Sequence, residues 1–208
     1  FKMLLLRWLQ SRTLRKADSV IFLTHYAKSL VSKLARLNLD NSTTIPHGVN
    51  NRFLMAPRTQ LAIHHYSFDR PFRILYVSVV DKYKHQCHVV KAVAQLRNSG
   101  LPVALDLVGP SHSRALMKLQ MTIDEVDPNG EYIHYLGPLI YEDVHAIYAS
   151  SELNVFASSC EAFGQILIEA MSSGLPITCS NRSVMPEILG NAGVYFDPEN
   201  ADDIAKAM

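Results

Sequence analysis

Cys160-Glu161-Ala162-Phe163-Gly164-Gln165-Ile166-Leu167-Ile168-Glu169-Ala170-Met171-Ser172-Ser173-Gly174-Leu175-Pro176 is the stretch whose reading decides the fold. Two small polar residues, Ser158 and Ser159, lead into an acid, then a glycine, then an apolar helical run with a second acid on it. Gly174 and Pro176 stop the helix, and the apolar run Ile177-Thr178-Cys179 follows. The order is strand, loop, helix, loop, strand. It sets a carboxylate and backbone amides at one helix N-terminus, a place where phosphates and sugars are held.

On a helical wheel Ile166, Leu167, Ala170 and Met171 form one apolar stripe. Glu169 falls roughly 130° from the centre of that stripe, one turn beyond Gln165, so it flanks the buried face and reaches toward a cleft. Glu161 lies on the loop before the helix. The amides of Gln165, Ile166 and Leu167 are expected to lack partners inside the helix. A plain helix with Glu161 near its positive end and Glu169 in solvent accounts for the same letters.

Composition narrows the classes. With 208 residues, 48% hydrophobic and 19% charged, the chain folds and has room for one large domain or one domain plus part of another. A formal net charge of +1 gives no basic field for nucleic acid. Three unpatterned cysteines, Cys87, Cys160 and Cys179, point to a reducing compartment and no disulfide framework. No apolar run approaches the roughly 18 residues a membrane span needs. The chain starts at Phe1 and ends at Met208, each inside a helical pattern, so an internal fragment of a longer protein is expected.

Residues 1 to 16 read as a basic helix with Leu4, Leu5, Leu6 and Trp8 on it. Because it feeds directly into a strand, packing on a further domain is expected; a peripheral membrane contact is the alternative. Ser19 to Leu23 suits a buried strand, and Thr24 an N-cap for a helix from His25 to about Leu37, with Tyr26, Leu30, Leu34 and Leu37 at helical spacing. Thr43-Thr44-Ile45 is a strand stub, followed by the connector Pro46 to Asn50. Residues 54 to 70, with Pro57, read as loop, and His64-His65 as surface.

From Arg73 the pattern turns regular. Apolar strands at 74–77, 103–108, 132–136, 153–156, 177–179 and 194–196 alternate with helices at about 86–97, 113–125, 141–149, the opening helix and a turn at 186–189. Repeated βαβ units make a doubly wound parallel sheet of the α/β, Rossmann-like class. Ligands of such sheets bind beyond the carboxyl ends of the strands. The segments that matter are therefore Ser78 to Lys84, Gly109-Pro110, Gly137-Pro138, Ser158 to Gly164 and Ser180 to Ser183. None carries a dinucleotide fingerprint, a P-loop or a nucleophile elbow. His85 and His88, with Cys87 between, share a helix side, but no second ligand pair follows at metal spacing.

In this order the segments resemble the GT-B retaining glycosyltransferases of family 4, and specifically their carboxy-terminal donor-binding domain. Ala17 to Thr24 resembles the last strand of the amino-terminal domain, and Ile45-Pro46-His47-Gly48-Val49-Asn50 the interdomain crossover. Tyr83-Lys84-His85-Gln86 resembles the lysine loop. Glu161 to Glu169 is an E-x7-E motif, and the match continues through Met185-Pro186-Glu187-Ile188 and Gly193 to Pro198. The resemblance implies residues 1–46 as the end of the acceptor-side domain, 47–71 as the crossover and 72–208 as the donor-binding domain, truncated at its end.

It also implies the chemistry: transfer of a sugar from a nucleotide-diphosphate sugar to a glycan or lipid-linked acceptor, with retention, in polysaccharide assembly in the cytoplasm. Glu161 would meet donor-sugar hydroxyls or stabilise positive charge at the anomeric carbon. Glu169 would hold the ribose hydroxyls. The amides around Phe163, Gly164 and Gln165 would meet sugar and phosphate, and the loops at Gly109 and Gly137 would surround the base. Lys84 would neutralise the diphosphate as it leaves; a fixed cation and a helix N-terminus do this without a metal or other cofactor. One departure matters. Where the family has Gly-Arg after the first strand, this chain has Ser78-Val79. Either Lys82 substitutes, or Lys84 and backbone act alone, or donor binding weakens. A nucleotide-sugar-binding module without catalysis and a GT-B sugar-nucleotide epimerase are the alternatives, and a fragment alone is expected to be inactive.

Overall fold

The computed structural model describes residues 2–36, 38, 40–56 and 59–208, Lys2 by its backbone alone. Leu37 and Pro57, which the sequence places in a helix and a loop, lie outside the described residues. The chain divides into two compact units, Phe1–Gly48 and Val49–Met208.

The first unit holds helices α1 (Lys2–Lys16) and α2 (His25–Ala35) and strands β1 (Val20–Phe22) and β2 (Ser42–Thr44), which pair in parallel. Thr24 caps α2 as its position predicts, accepting from the Ala27 amide at 3.1 Å. The strand after α2 is Ser42–Thr44 rather than 43–45, and the Ile45 amide still reaches the Phe22 carbonyl at 2.8 Å. Several apolar side chains of the two helices, Met3, Trp8, Leu30 and Leu34 among them, are exposed, while Leu14 and Val31 are half-buried. Among the described residues no helix is long and apolar enough to cross a membrane.

The second unit is a parallel six-stranded sheet: β3 (Phe72–Val77), β4 (Val103–Val108), β5 (Ile133–Gly137), β6 (Leu153–Phe156), β7 (Ile177–Ser180) and β8 (Val194–Phe196). Their order across the sheet is β5-β4-β3-β6-β7-β8. The helices are α3 (Gln86–Asn98), α4 (Ser113–Val126), α5 (Val144–Ala149), α6 (Gln165–Ser172), α7 (Met185–Leu189) and α8 (Ala201–Ala207). Strands β4, β6 and β7 are buried along their whole length, which is why they read as continuous apolar runs rather than alternating ones.

The strand order is the one expected of a doubly wound α/β sheet. From β3 the chain winds outward through α3 and α4 to β5; from β6 it winds the other way through α6 and α7 to β8. Right-handed crossovers then place α3 and α4 on one face and α6 and α7 on the other. The reversal falls between β3 and β6, and sheets of this kind hold their ligands beyond the carboxyl ends of the strands at that point. Two boundaries differ from the sequence expectation. Helix α5 starts at Val144 rather than Tyr141, because residues 141–143 form a turn, and the loop 54–70 contains a short 3₁₀ turn at Ile63–His65. His64 and His65 are exposed, as expected. Upstream, Asn50 caps a 3₁₀ turn, Asn51–Phe53, that plants a fully buried Phe53 edge-on against Tyr148 at 5.8 Å.

Candidate functional site

The loop leaving β3 is shaped by its own residues. Asp81 caps a 3₁₀ turn, Lys82–Lys84, through the Lys82 amide at 2.6 Å. Buried Tyr76, on β3, donates its hydroxyl to the Lys84 carbonyl at 2.6 Å. Burial pushes that phenol above its ordinary range, so it stays a donor. The turn carries the Lys84 side chain inward, and the residue is only 5% exposed. Its ammonium lies over the rings of Tyr83, at 5.2 Å, and Phe156, at 5.4 Å, and it forms an ion pair with the Glu161 carboxylate.

Glu161 comes from the loop leaving β6, so the pair spans the switch point of the sheet. This loop is tied to its neighbours on both sides. Ser159 donates its amide to the Tyr83 carbonyl at 2.9 Å and its hydroxyl to the same carbonyl at 3.2 Å. That uses the one hydroxyl proton, so His85 Nε2, at 2.9 Å, is the donor to Ser159 Oγ. Burial and His88 lower the His85 pKa, which keeps the ring neutral. On the other side, Ser183 Oγ accepts from the Glu161 amide at 3.1 Å and donates to the Glu161 carbonyl at 3.0 Å.

Gly164 opens α6 with φ +85°, a left-handed conformation that glycine adopts without strain. Phe163 beside it is buried. The expectation that the Leu167 amide lacks a partner is corrected: it donates to the Gly164 carbonyl at 3.0 Å, because the first turn of α6 closes at i−3. Glu169 is 4% exposed, so the reading of a solvent-facing Glu169 fails. Burial raises its pKa, and a hydrogen bond from the Gln165 side chain opposes the shift.

The other sequence candidates knit the strand-end loops together. Ser78 is buried, accepts from Gln86 Nε2 at 2.9 Å, and donates its amide to Val108 at 2.8 Å. A Cβ on Gly109, at φ +139°, would stand 2.1 Å from the Ser78 carbonyl oxygen, so only glycine lets these loops meet. The Gly109 amide reaches the Gly137 carbonyl at 2.9 Å. Lys82 is exposed and lines a cavity of about 350 Å³ with His85, His88, His112 and Lys118. Among the described residues no three His, Cys, Asp or Glu side chains are placed to hold a metal ion. The contributions of Tyr76, His85 and Ser183 have no sequence signal beyond their places at strand ends.

A doubly wound parallel sheet of this strand order, here with a lysine–carboxylate pair over its switch point, is the α/β architecture of a GT-B domain. Residues 60–208 match the family model "Glycosyl transferases group 1", and the chain belongs to that family. It is 42% identical over 74 residues to the O-antigen chain mannosyltransferase B of Escherichia coli, covering 36% of this chain and 19% of that protein. It is 26% identical over 219 residues to the MMP alpha-(1->4)-mannosyltransferase of Mycolicibacterium hassiacum, covering 100% of this chain and 49% of that one. The chain thus spans less than half the length of these relatives. Among solved structures, Anabaena Alr3699/HepE in complex with UDP and glucose superposes with a TM-score of 0.80 at 19% identity, covering 96% of this chain and 55% of that one.

Proposed function

We propose that the protein containing this chain transfers a sugar, with retention of configuration, from a nucleotide-diphosphate sugar to a glycan or lipid-linked acceptor. The observation that carries the reading is the Lys84–Glu161 ion pair across the switch point. Departure of a nucleoside diphosphate leaves negative charge, and a preorganised ammonium in a largely dry pocket stabilises that charge as it develops. In the donor-free protein Glu161 neutralises Lys84. A bound diphosphate would take over the ammonium, leaving the Glu161 carboxylate to face the sugar. Glu169 and the start of α6 would hold the ribose and phosphates. No step in this scheme needs a metal or other cofactor.

The mannosyltransferases among the relatives support a mannosyl donor and a role in polysaccharide assembly. Such work would be done in the cytoplasm, and α1, with its exposed apolar residues and its basic end, would give a peripheral contact with the membrane carrying a lipid-linked acceptor. A second reading rests on Val79: without an arginine there, the domain would bind nucleotide sugars and not transfer them.

The test incubates full-length protein with GDP-mannose and a panel of UDP-, GDP- and ADP-sugars and follows diphosphate release. Release with one donor, lost in Glu161→Ala, is expected. Binding without release would favour the second reading. No release, with donor binding indifferent to Glu161→Ala, would overturn the first.

A further inference from the structure

Among the described residues three that are not glycine have a left-handed backbone: Arg36, His85 and Ser183. Arg36 ends a helix. The other two stand on either side of the Glu161 loop. L-residues avoid this region, and where it persists the surroundings over-determine it, most often at functional sites. At Ser183, with φ +58°, the surroundings can be named. The Asn181 amide is fixed to the Phe196 carbonyl at 2.9 Å, the Arg182 guanidinium to both oxygens of Asp197 at 3.2 Å, and Val184 and Met185 are fully buried. The turn after β7 is therefore tied to β8 and to the core, and its Ser183 hydroxyl bonds the backbone of Glu161.

That hydroxyl holds both main-chain groups of a single residue. It accepts from the Glu161 amide and donates to the Glu161 carbonyl, across 22 residues of sequence. A serine hydroxyl has one proton and two lone pairs, which suffices for both contacts; glycine or alanine can make neither. Both peptide planes flanking Glu161 are thereby fixed, and with them the direction in which its side chain leaves the backbone. The Ser159 contacts to Tyr83 and His85 hold the same loop on the Lys84 side, but they reach it two residues earlier.

We propose that Ser183 is a positioning residue for Glu161: it fixes the backbone from which the carboxylate projects, so that its direction holds when a donor diphosphate takes Lys84 away. The proposal rests on Glu161 as the sugar-facing acid.

Two substitutions separate hydroxyl from strain. Ser183→Gly removes the hydroxyl and relieves the left-handed backbone; Ser183→Ala removes the hydroxyl and keeps the strain. In full-length protein without donor, exchange of the Glu161 amide hydrogen, resolved by NMR, is expected to speed up roughly tenfold or more in both variants, while Ser183→Gly melts no lower than the parent. With donor and acceptor, kcat is expected to fall roughly tenfold in both, with donor KM within about threefold, and to fall no further when the change is made on Glu161→Gln. Unchanged exchange at Glu161, or an equal loss of kcat in both backgrounds, would overturn the proposal. Faster exchange at Glu161 in the two variants, with a parent protein that turns over no donor, would support the positioning and sink the transferase reading instead.

Discussion

Lys84 and Glu161, 77 residues apart in sequence, close an ion pair above the two strands between which the sheet reverses its winding. The backbone of each is held: Tyr76 donates to the carbonyl of Lys84, and Ser183 holds both main-chain groups of Glu161. The relationship ties stability to the proposed chemistry, because the two charges balanced in the resting protein are the ones the proposal uses on the donor.

Removing one partner should therefore be felt twice. Glu161→Gln leaves a lysine that is 5% exposed without its carboxylate, which should destabilise the fold by on the order of 1–3 kcal/mol in denaturant titrations. The double change Lys84→Met with Glu161→Leu should recover part of that loss, since no uncompensated charge remains. In transfer assays Lys84→Met alone should lower kcat by about 10²–10³-fold. A nucleoside diphosphate at about a hundred times its Kd should add roughly 2.7 kcal/mol to the parent and much less to Lys84→Met. Equal ligand stabilisation of both proteins would remove Lys84 from the diphosphate site.

Glu169 sets a pH dependence whose sign follows from burial. Its folded pKa is raised by desolvation, so the folded state holds the proton more tightly than the unfolded chain. Its contribution is complete below the ordinary carboxylate range and is lost as pH rises through the raised folded value. Glu169→Gln should flatten the stability profile across that window and leave the protein relatively more stable above it, measured by urea denaturation at a series of pH values. If the carboxylate also holds ribose, the same variant should bind nucleotide more weakly. A profile unchanged by the substitution would show that the burial of Glu169 carries no protonation cost.

Gly109 is held by geometry alone. A methyl group there meets the Ser78 carbonyl at 2.1 Å on a backbone with φ +139°. Gly109→Ala should therefore cost about 3 kcal/mol or more, as overpacking and strain add. The control is Gly48→Ala, where a Cβ meets nothing within 4 Å and which should stay within about 0.5 kcal/mol. Thermal melts of the two variants side by side decide it; equal Tm values would contradict the close approach of the two loops.

The sheet was legible because parallel strands buried on both faces, such as β4 and β6, leave unbroken apolar runs between turn residues. Lys84 and Glu161 became legible as a pair only through the order of motifs around them, since spacing alone says nothing of what meets across 77 residues. The wheel placed Glu169 beside the buried stripe of α6 but not inside; its burial depends on neighbours from other elements, which a single-helix pattern cannot contain. By residue type Lys82 and Lys84 are equivalent, and only the resemblance to a lysine loop sets Lys84 apart in the sequence. The 3₁₀ turn separates them, exposing one and burying the other, and that turn hangs on Asp81 and Tyr76 rather than on any periodicity. The hydroxyl of Ser183 is the extreme case: a long-range side-chain-to-backbone contact leaves no trace in hydrophobic patterning.

Thiol chemistry offers a probe of the Glu161 loop that needs no catalytic turnover. Cys160 is exposed beside Glu161, whereas Cys179 is buried in β7 and burial lifts its thiol to about 12. The thiolate is the reactive form, so at mildly alkaline pH Cys160 should react with a small maleimide quickly and Cys179 only when the protein unfolds. Cys87, partly exposed on α3, should react at an intermediate rate. A donor sugar bound against Glu161 would cover the neighbouring thiol. A saturating nucleotide sugar should then slow labelling of Cys160, read by peptide mass spectrometry, and leave Cys87 unaffected. The same protection should vanish in Lys84→Met if the diphosphate is held there. Protection of Cys87 instead of Cys160 would move the donor away from Glu161, toward the cavity between α3 and α4.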